Sequence, residues 1–88
     1  MCTYKVTDEV MFTDVDREYV LLHAARGEYF SLNEMGRTMF DLIKTKKSCS
    51  EVIKSILNQY DVDREVVATD LAELIQSLVA SDLLVRND

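Results

Sequence analysis

At Asn33 the apolar periodicity of this 88-residue chain changes from two to 3.6, and that switch limits what the chain can fold into. Upstream, Glu18 to Ala24 reads as a strand. Tyr19, Leu21 and His23 point one way, and Val20, Leu22 and Ala24 the other. Apolar groups on both faces suit a central strand. Ala25-Arg26-Gly27 supplies a hairpin turn, with Gly27 free to take positive φ. Glu28 to Leu32 returns as a short aromatic strand, Phe30 and Leu32 on one face and Tyr29 and Ser31 on the other. This strand is expected at the edge of its sheet, where unpaired N–H and C=O groups are open to an extended peptide.

Downstream the pattern is helical. Asn33 is a good N-cap and Glu34 suits a first turn. Met35, Met39, Leu42 and Ile43 form one stripe, widened by Phe40. Ser48-Cys49-Ser50-Glu51 has capping-box spacing and opens a second helix, with Ile53, Ile56, Leu57 and Tyr60 on its expected buried face. Asp61-Val62-Asp63 breaks it, and Asp63 is placed to cap a third helix whose stripe is Val67, Leu71, Leu74, Ile75 and Leu78. Leu83-Leu84-Val85 is expected as an extended tail against the core. Before the hairpin, Val10-Met11-Phe12 reads as a first strand closed by a polar turn over Thr13-Asp14-Val15-Asp16-Arg17. Three antiparallel strands followed by three helices is an α+β arrangement. The length predicts one domain over residues 1–88, with Met1 to Glu9 a loose N-terminal segment.

Composition narrows the function. The formal charge of −6 argues against binding a phosphate backbone, and the one basic cluster, Lys44-Thr45-Lys46-Lys47, reads as a solvated loop after a helix. No apolar run is long enough to span a bilayer, and no basic-then-apolar start marks a signal peptide, so the expectation is a cytoplasmic protein without a membrane partner. Cys2 and Cys49 lack redox or metal spacing, which also fits a reducing compartment. His23 is the only histidine and reads as structural. Asp14/Asp16 and Asp61/Asp63 read as turn and cap residues rather than a calcium loop. No nucleophile–base pair and no metal set can be assembled, so the expectation is a non-enzyme with no catalytic residues, no metal site and no cofactor.

The run from Gly27 to Ile43 reads Gly-x-Tyr-aromatic-x-Leu-Asn-x-x-Gly-x-x-aliphatic-aromatic-x-Leu-aliphatic. It resembles the PqqD-like family, whose members serve as recognition elements for ribosomally made, post-translationally modified peptides. The likeness extends upstream to Val20-Leu21-Leu22. It continues downstream through Ser50-Glu51-Val52-Ile53, Tyr60-Asp61-Val62-Asp63 and Ser81-Asp82-Leu83-Leu84. Phe40 stands where many relatives carry Trp. The resemblance implies a winged-helix-like fold that binds the leader segment of a precursor peptide without catalysis. The leader would add as a strand to the third strand, Glu28, Tyr29, Phe30, Ser31 and Leu32. It would lie in a groove beside the third helix, drawing on Val66, Val67, Asp70, Leu71 and Leu74.

The resemblance also implies a maturation enzyme as second partner. A free-standing domain of this kind looks most like the leader-binding protein of a lasso-peptide pathway, which serves a separate leader peptidase. The alternative is a PqqD-type chaperone that hands its peptide to a radical enzyme. A winged-helix transcription regulator is a reading of another class. It would need a basic recognition helix, whereas the second helix offers Lys54 and the third Arg64 among Glu65, Asp70 and Glu73.

Overall fold

The computed structural model describes residues 3–16, 18–45 and 48–86. Its elements, in chain order, are β1 (Tyr4–Val6), β2 (Val10–Val15), β3 (Glu18–His23), β4 (Glu28–Leu32), α1 (Glu34–Lys44), α2 (Cys49–Gln59), α3 (Arg64–Ala80) and β5 (Leu84–Arg86). β2, β3 and β4 form an antiparallel sheet in that order, so β3 is central and β4 an edge, as the alternation predicted. β1 and β5 form a separate two-stranded antiparallel ribbon, with Tyr4 opposite Arg86 and Val6 opposite Leu84.

Two expectations about the strands change. The N-terminal segment read as loose contains β1, because the Leu83–Val85 tail supplies a pairing edge 78 or more positions away that no local pattern announces. Thr7 N–H extends the ribbon by donating to the Leu83 carbonyl at 3.1 Å. β2 also runs on through Thr13-Asp14-Val15, where a polar turn was expected. Its register continues to Val15 opposite Glu18, and Thr13 and Val15 are good strand formers. Asp16, which follows β2, takes φ 57°, a left-handed conformation that aspartate tolerates. Arg17, the basic-loop residues Lys46 and Lys47, and Cys2 lie outside the described residues.

The helix starts follow from the sequence. Asn33 Oδ1 accepts from Gly36 N–H at 2.8 Å. Ser48 Oγ accepts from Glu51 N–H at 3.3 Å while Glu51 Oε1 accepts from Ser48 N–H at 3.1 Å, completing the capping box. Asp63 stands at the N-cap of α3, but its side chain makes no cap hydrogen bond; only its carbonyl engages, accepting from Val67 N–H at 3.1 Å.

α1 packs on β3 and β4, and α2 and α3 pack on α1 and each other. The core joins Leu21 and Leu32 from the sheet to Met39, Phe40 and Ile43 of α1, Val52 and Ile56 of α2, and Val67, Leu71, Ile75 and Leu78 of α3. Ile53, Leu57 and Tyr60, expected as the buried face of α2, are half-buried at its margin, and Val52 takes the interior position. His23 is 4% exposed, with Nε2 3.2 Å from Asp82 Oδ2. This contact ties β3 to the turn after α3.

Candidate functional site

The site begins at the free edge of β4. Ala24 N–H donates to the Glu9 carbonyl at 2.9 Å, so along β3 the backbone groups of Leu22 and Val20 face β2. Strand alternation then turns those of His23, Leu21 and Tyr19 toward β4. The hairpin agrees: the His23 carbonyl accepts from Arg26 at 3.2 Å and from Gly27 at 2.9 Å, with Gly27 at φ 67°. His23 pairs with Glu28, Leu21 with Phe30 and Tyr19 with Leu32. Glu28, Phe30 and Leu32 therefore direct their backbone groups inward to β3. Tyr29 and Ser31 direct theirs to the open edge, a distinction the sequence could not make.

Beside that edge runs a groove of about 380 Å³. Phe30, Ser31 and Leu32 line one side, Asp70, Glu73, Leu74 and Ser77 of α3 the other, and Asn33 with Met35, Gly36 and Met39 of α1 completes it. The α3 residues lie at i, i+3, i+4 and i+7, one stripe of the helix. The stripe reaches Ser81, which with His23, Glu28, Tyr29, Phe30 and Leu83 encloses a small hollow of about 50 Å³ at the Glu28 end. At the Leu32 end a more open hollow is lined by Asp16, Glu18, Ser31, Leu32, Asn33, Glu34 and Arg37. Arg37 is engaged with Asp14 and, at 3.9 Å, with Asp41. Arg26 and Glu28 pair at 2.8 Å on the hairpin.

The residues named from sequence divide. Phe30, Ser31, Leu32, Asp70 and Leu74 meet in the groove, and Glu28 and Tyr29 continue its strand side. Val67 and Leu71 do not line it, because both are core residues on the helix face turned inward. Val66 is 53% exposed but lies off the lining stripe. Met35, Met39, Glu73 and Ser77 were not named from sequence. The two methionines read as core filler, and only the i+3/i+4 spacing from Asp70 and Leu74 could have pointed to Glu73 and Ser77.

Chemically the groove mixes the apolar side chains of Phe30, Leu32, Met35, Met39 and Leu74 with polar ones, Ser31, Asn33, Asp70, Glu73 and Ser77, beside two outward-facing peptide units. It suits an extended peptide that pairs through its backbone and sinks alternate side chains. Among the described residues no three His, Cys, Asp or Glu side chains gather as metal ligands would, and no helix is long and apolar enough to cross a membrane.

Comparisons with known proteins agree with this architecture. Residues 18–84 match the family described as coenzyme PQQ synthesis protein D (PqqD). A solved structure of TbiB1 in complex with the TbiA(beta) leader peptide superposes with a TM-score of 0.82 at 35% identity, covering 91% of this chain and 93% of that one. Lasso peptide synthetase B1, complexed with the leader peptide, superposes with a TM-score of 0.85 at 24% identity, covering 93% and 96%, and shares the fold. No curated protein sequence matches. The match across the hairpin, all three helices and the start of β5, together with the likeness to TbiB1 over nine-tenths of both chains, establishes that this chain belongs to the PqqD family.

Proposed function

We propose that this chain binds the leader segment of a ribosomally made precursor peptide and presents it to a maturation enzyme, a lasso-peptide leader peptidase first of all. The leader adds as a strand to β4, accepting from and donating to the backbone of Tyr29 and Ser31. Its inward side chains enter the groove between Phe30–Leu32 and the Asp70–Ser77 stripe. The chain acts as one cytoplasmic domain and has no catalysis, cofactor or metal of its own; nucleic acid and membrane are not partners.

The observation that carries this reading is the open β4 edge beside a groove of mixed apolar and polar lining, in the fold shared with a 35% identical protein solved in complex with a leader peptide. Binding through main-chain hydrogen bonds tolerates sequence variation, while the groove selects one or two side chains. Titration of the purified chain with labelled leader peptides from its own gene neighbourhood tests it. Saturable one-to-one binding is expected, and a flat titration with every such leader would defeat it. The family match over residues 18–84 favours one second reading, a peptide chaperone serving a radical enzyme. Release of the bound peptide to a radical enzyme, with no stimulation of a peptidase, would select it.

A further inference from the structure

Charge is uneven along the groove beside β4. Ser81, at the C-terminal end of the α3 stripe, sits with Glu28, Tyr29 and Phe30 at one end of the strand. Helix and strand therefore run in opposite directions, which puts Asp70 and Glu73 toward Leu32 and Asn33. The more open hollow at that end shares Ser31, Leu32 and Asn33 with the groove and adds Asp16, Glu18, Glu34 and Arg37. Five carboxylates thus gather at the Leu32 end of the open edge, against one cation among these lining residues. That cation, Arg37, is already engaged with Asp14 and Asp41. At the opposite end Glu28 is matched by Arg26 at 2.8 Å. Asp70 and Glu73 join no salt bridge among the described residues. Apart from each other, the residues three and four positions away from them are Val66, Val67, Thr69, Leu74, Gln76 and Ser77, and none is a cation. One turn apart, the two carboxylates repel each other mildly, so their charge does nothing to hold the helix.

A strand added to β4 turns every second side chain toward the groove, about 7 Å apart. One falls in the row of Leu21 and Phe30, the next in the row of Tyr19 and Leu32. The stripe from Asp70 to Ser77 rises about 10 Å along α3, enough to meet both. We propose that Asp70 and Glu73 make the groove selective for a leader with Lys or Arg in the Leu32 row, two residues from the side chain that meets Leu74. The aliphatic stem of that residue lies along Leu32 and Met35, and its charged head reaches the two carboxylates. The open edge and the groove define where the leader binds; the carboxylates define which side chain is accepted at one end. The inference rests on the leader-binding reading and adds to it the chemical class of one recognised leader residue.

The probe is the labelled leader peptide encoded beside this chain, together with versions in which each Lys and Arg is changed singly to Gln. The parent is compared with the double variant Asp70→Asn, Glu73→Gln and with Glu65→Gln, an exposed carboxylate of α3 outside the groove lining. The double variant is expected to bind the unaltered leader about fivefold or more weakly at low salt, the size of two ion pairs at a partly exposed site. The gap should narrow in about 0.5 M salt, where such pairs are screened. One Lys or Arg change in the leader should weaken the parent by a similar factor and leave the double variant within about twofold, a coupling that identifies the partner residue. Glu65→Gln should match the parent within about twofold. Equal affinity of parent and double variant, or a tightly bound leader without Lys or Arg in its paired segment, would overturn the selectivity and leave strand addition standing. A weakened double variant whose loss no leader change reproduces would overturn it too. A parent that binds no leader would remove both readings.

Discussion

His23 and Asp82, 59 positions apart, meet with Nε2 and Oδ2 3.2 Å from one another. The imidazole is buried and the carboxylate half exposed, and Asp82 holds a left-handed φ of 60° in the turn that sends the chain from α3 into β5. His23→Ala should cost about 2–4 kcal/mol, from the lost volume and the lost bond. Asp82→Asn keeps an acceptor and tolerates the left-handed backbone, and should cost less than about 1 kcal/mol. Asp82→Ala loses both and should fall between, at about 1–2 kcal/mol. Urea midpoints for the three variants would check the order.

The open edge of β4 yields a proline test with opposite outcomes at neighbouring positions. Tyr29→Pro and Ser31→Pro remove N–H groups that face the edge, so both should fold and lose leader affinity about tenfold or more. Phe30→Pro removes an N–H that faces β3 and should destabilise the fold instead. Glu28→Ala leaves every backbone donor in place and should change affinity little. Circular dichroism reports folding and a labelled leader reports affinity.

Groove and helix surface separate on α3. Leu74 is half-buried in the groove, and Leu74→Asp should weaken leader binding about tenfold or more by placing a charge where an apolar side chain enters. Val66→Asp alters an exposed position off the stripe and should leave affinity close to the parent's. Equal losses would widen the groove toward the N-terminal end of α3.

Alkaline stability should depend on Lys44. Its ammonium sits 4.6 Å from the Phe12 ring centroid, 3.3 Å from Asp41 Oδ1 and 3.4 Å from the Tyr19 hydroxyl. Burial draws its pKa down, but Asp41 and Tyr19 outweigh that and the pKa is raised above 10.5. Folding therefore favours the charged form. The stabilisation is complete below 10.5 and is lost as pH rises through the raised value. Lys44→Met should flatten that part of the stability profile, measured as the urea midpoint from about pH 9 to 12.

The local elements were legible because their signals are local. Asn33 and the Ser48/Glu51 pair announce helix starts, and Gly27 announces the hairpin. β1 was not legible, because Tyr4–Val6 is a strand only by virtue of β5 at the other end of the chain. The groove flank of α3 was illegible for a different reason. Val66, Val67, Leu71, Leu74, Ile75, Leu78 and Val79 put apolar groups around most of the helix, so no single stripe stands out as the interior. Only packing separates the core residues Val67 and Leu71 from the lining residue Leu74. The outward aim of Tyr29 and Ser31 follows from the phase of the ladder, which the Ala24–Glu9 bond and the hairpin bonds to the His23 carbonyl both set.

The β1–β5 ribbon has a practical consequence for building with this fold. Because Tyr4 lies directly across from Arg86, a short tether joining β1 to β5 there would cross one strand spacing and cost little closure entropy. The chain could then be reopened at the exposed Asp61–Asp63 connection, far from β4 in sequence, giving a circular permutant with new ends between α2 and α3.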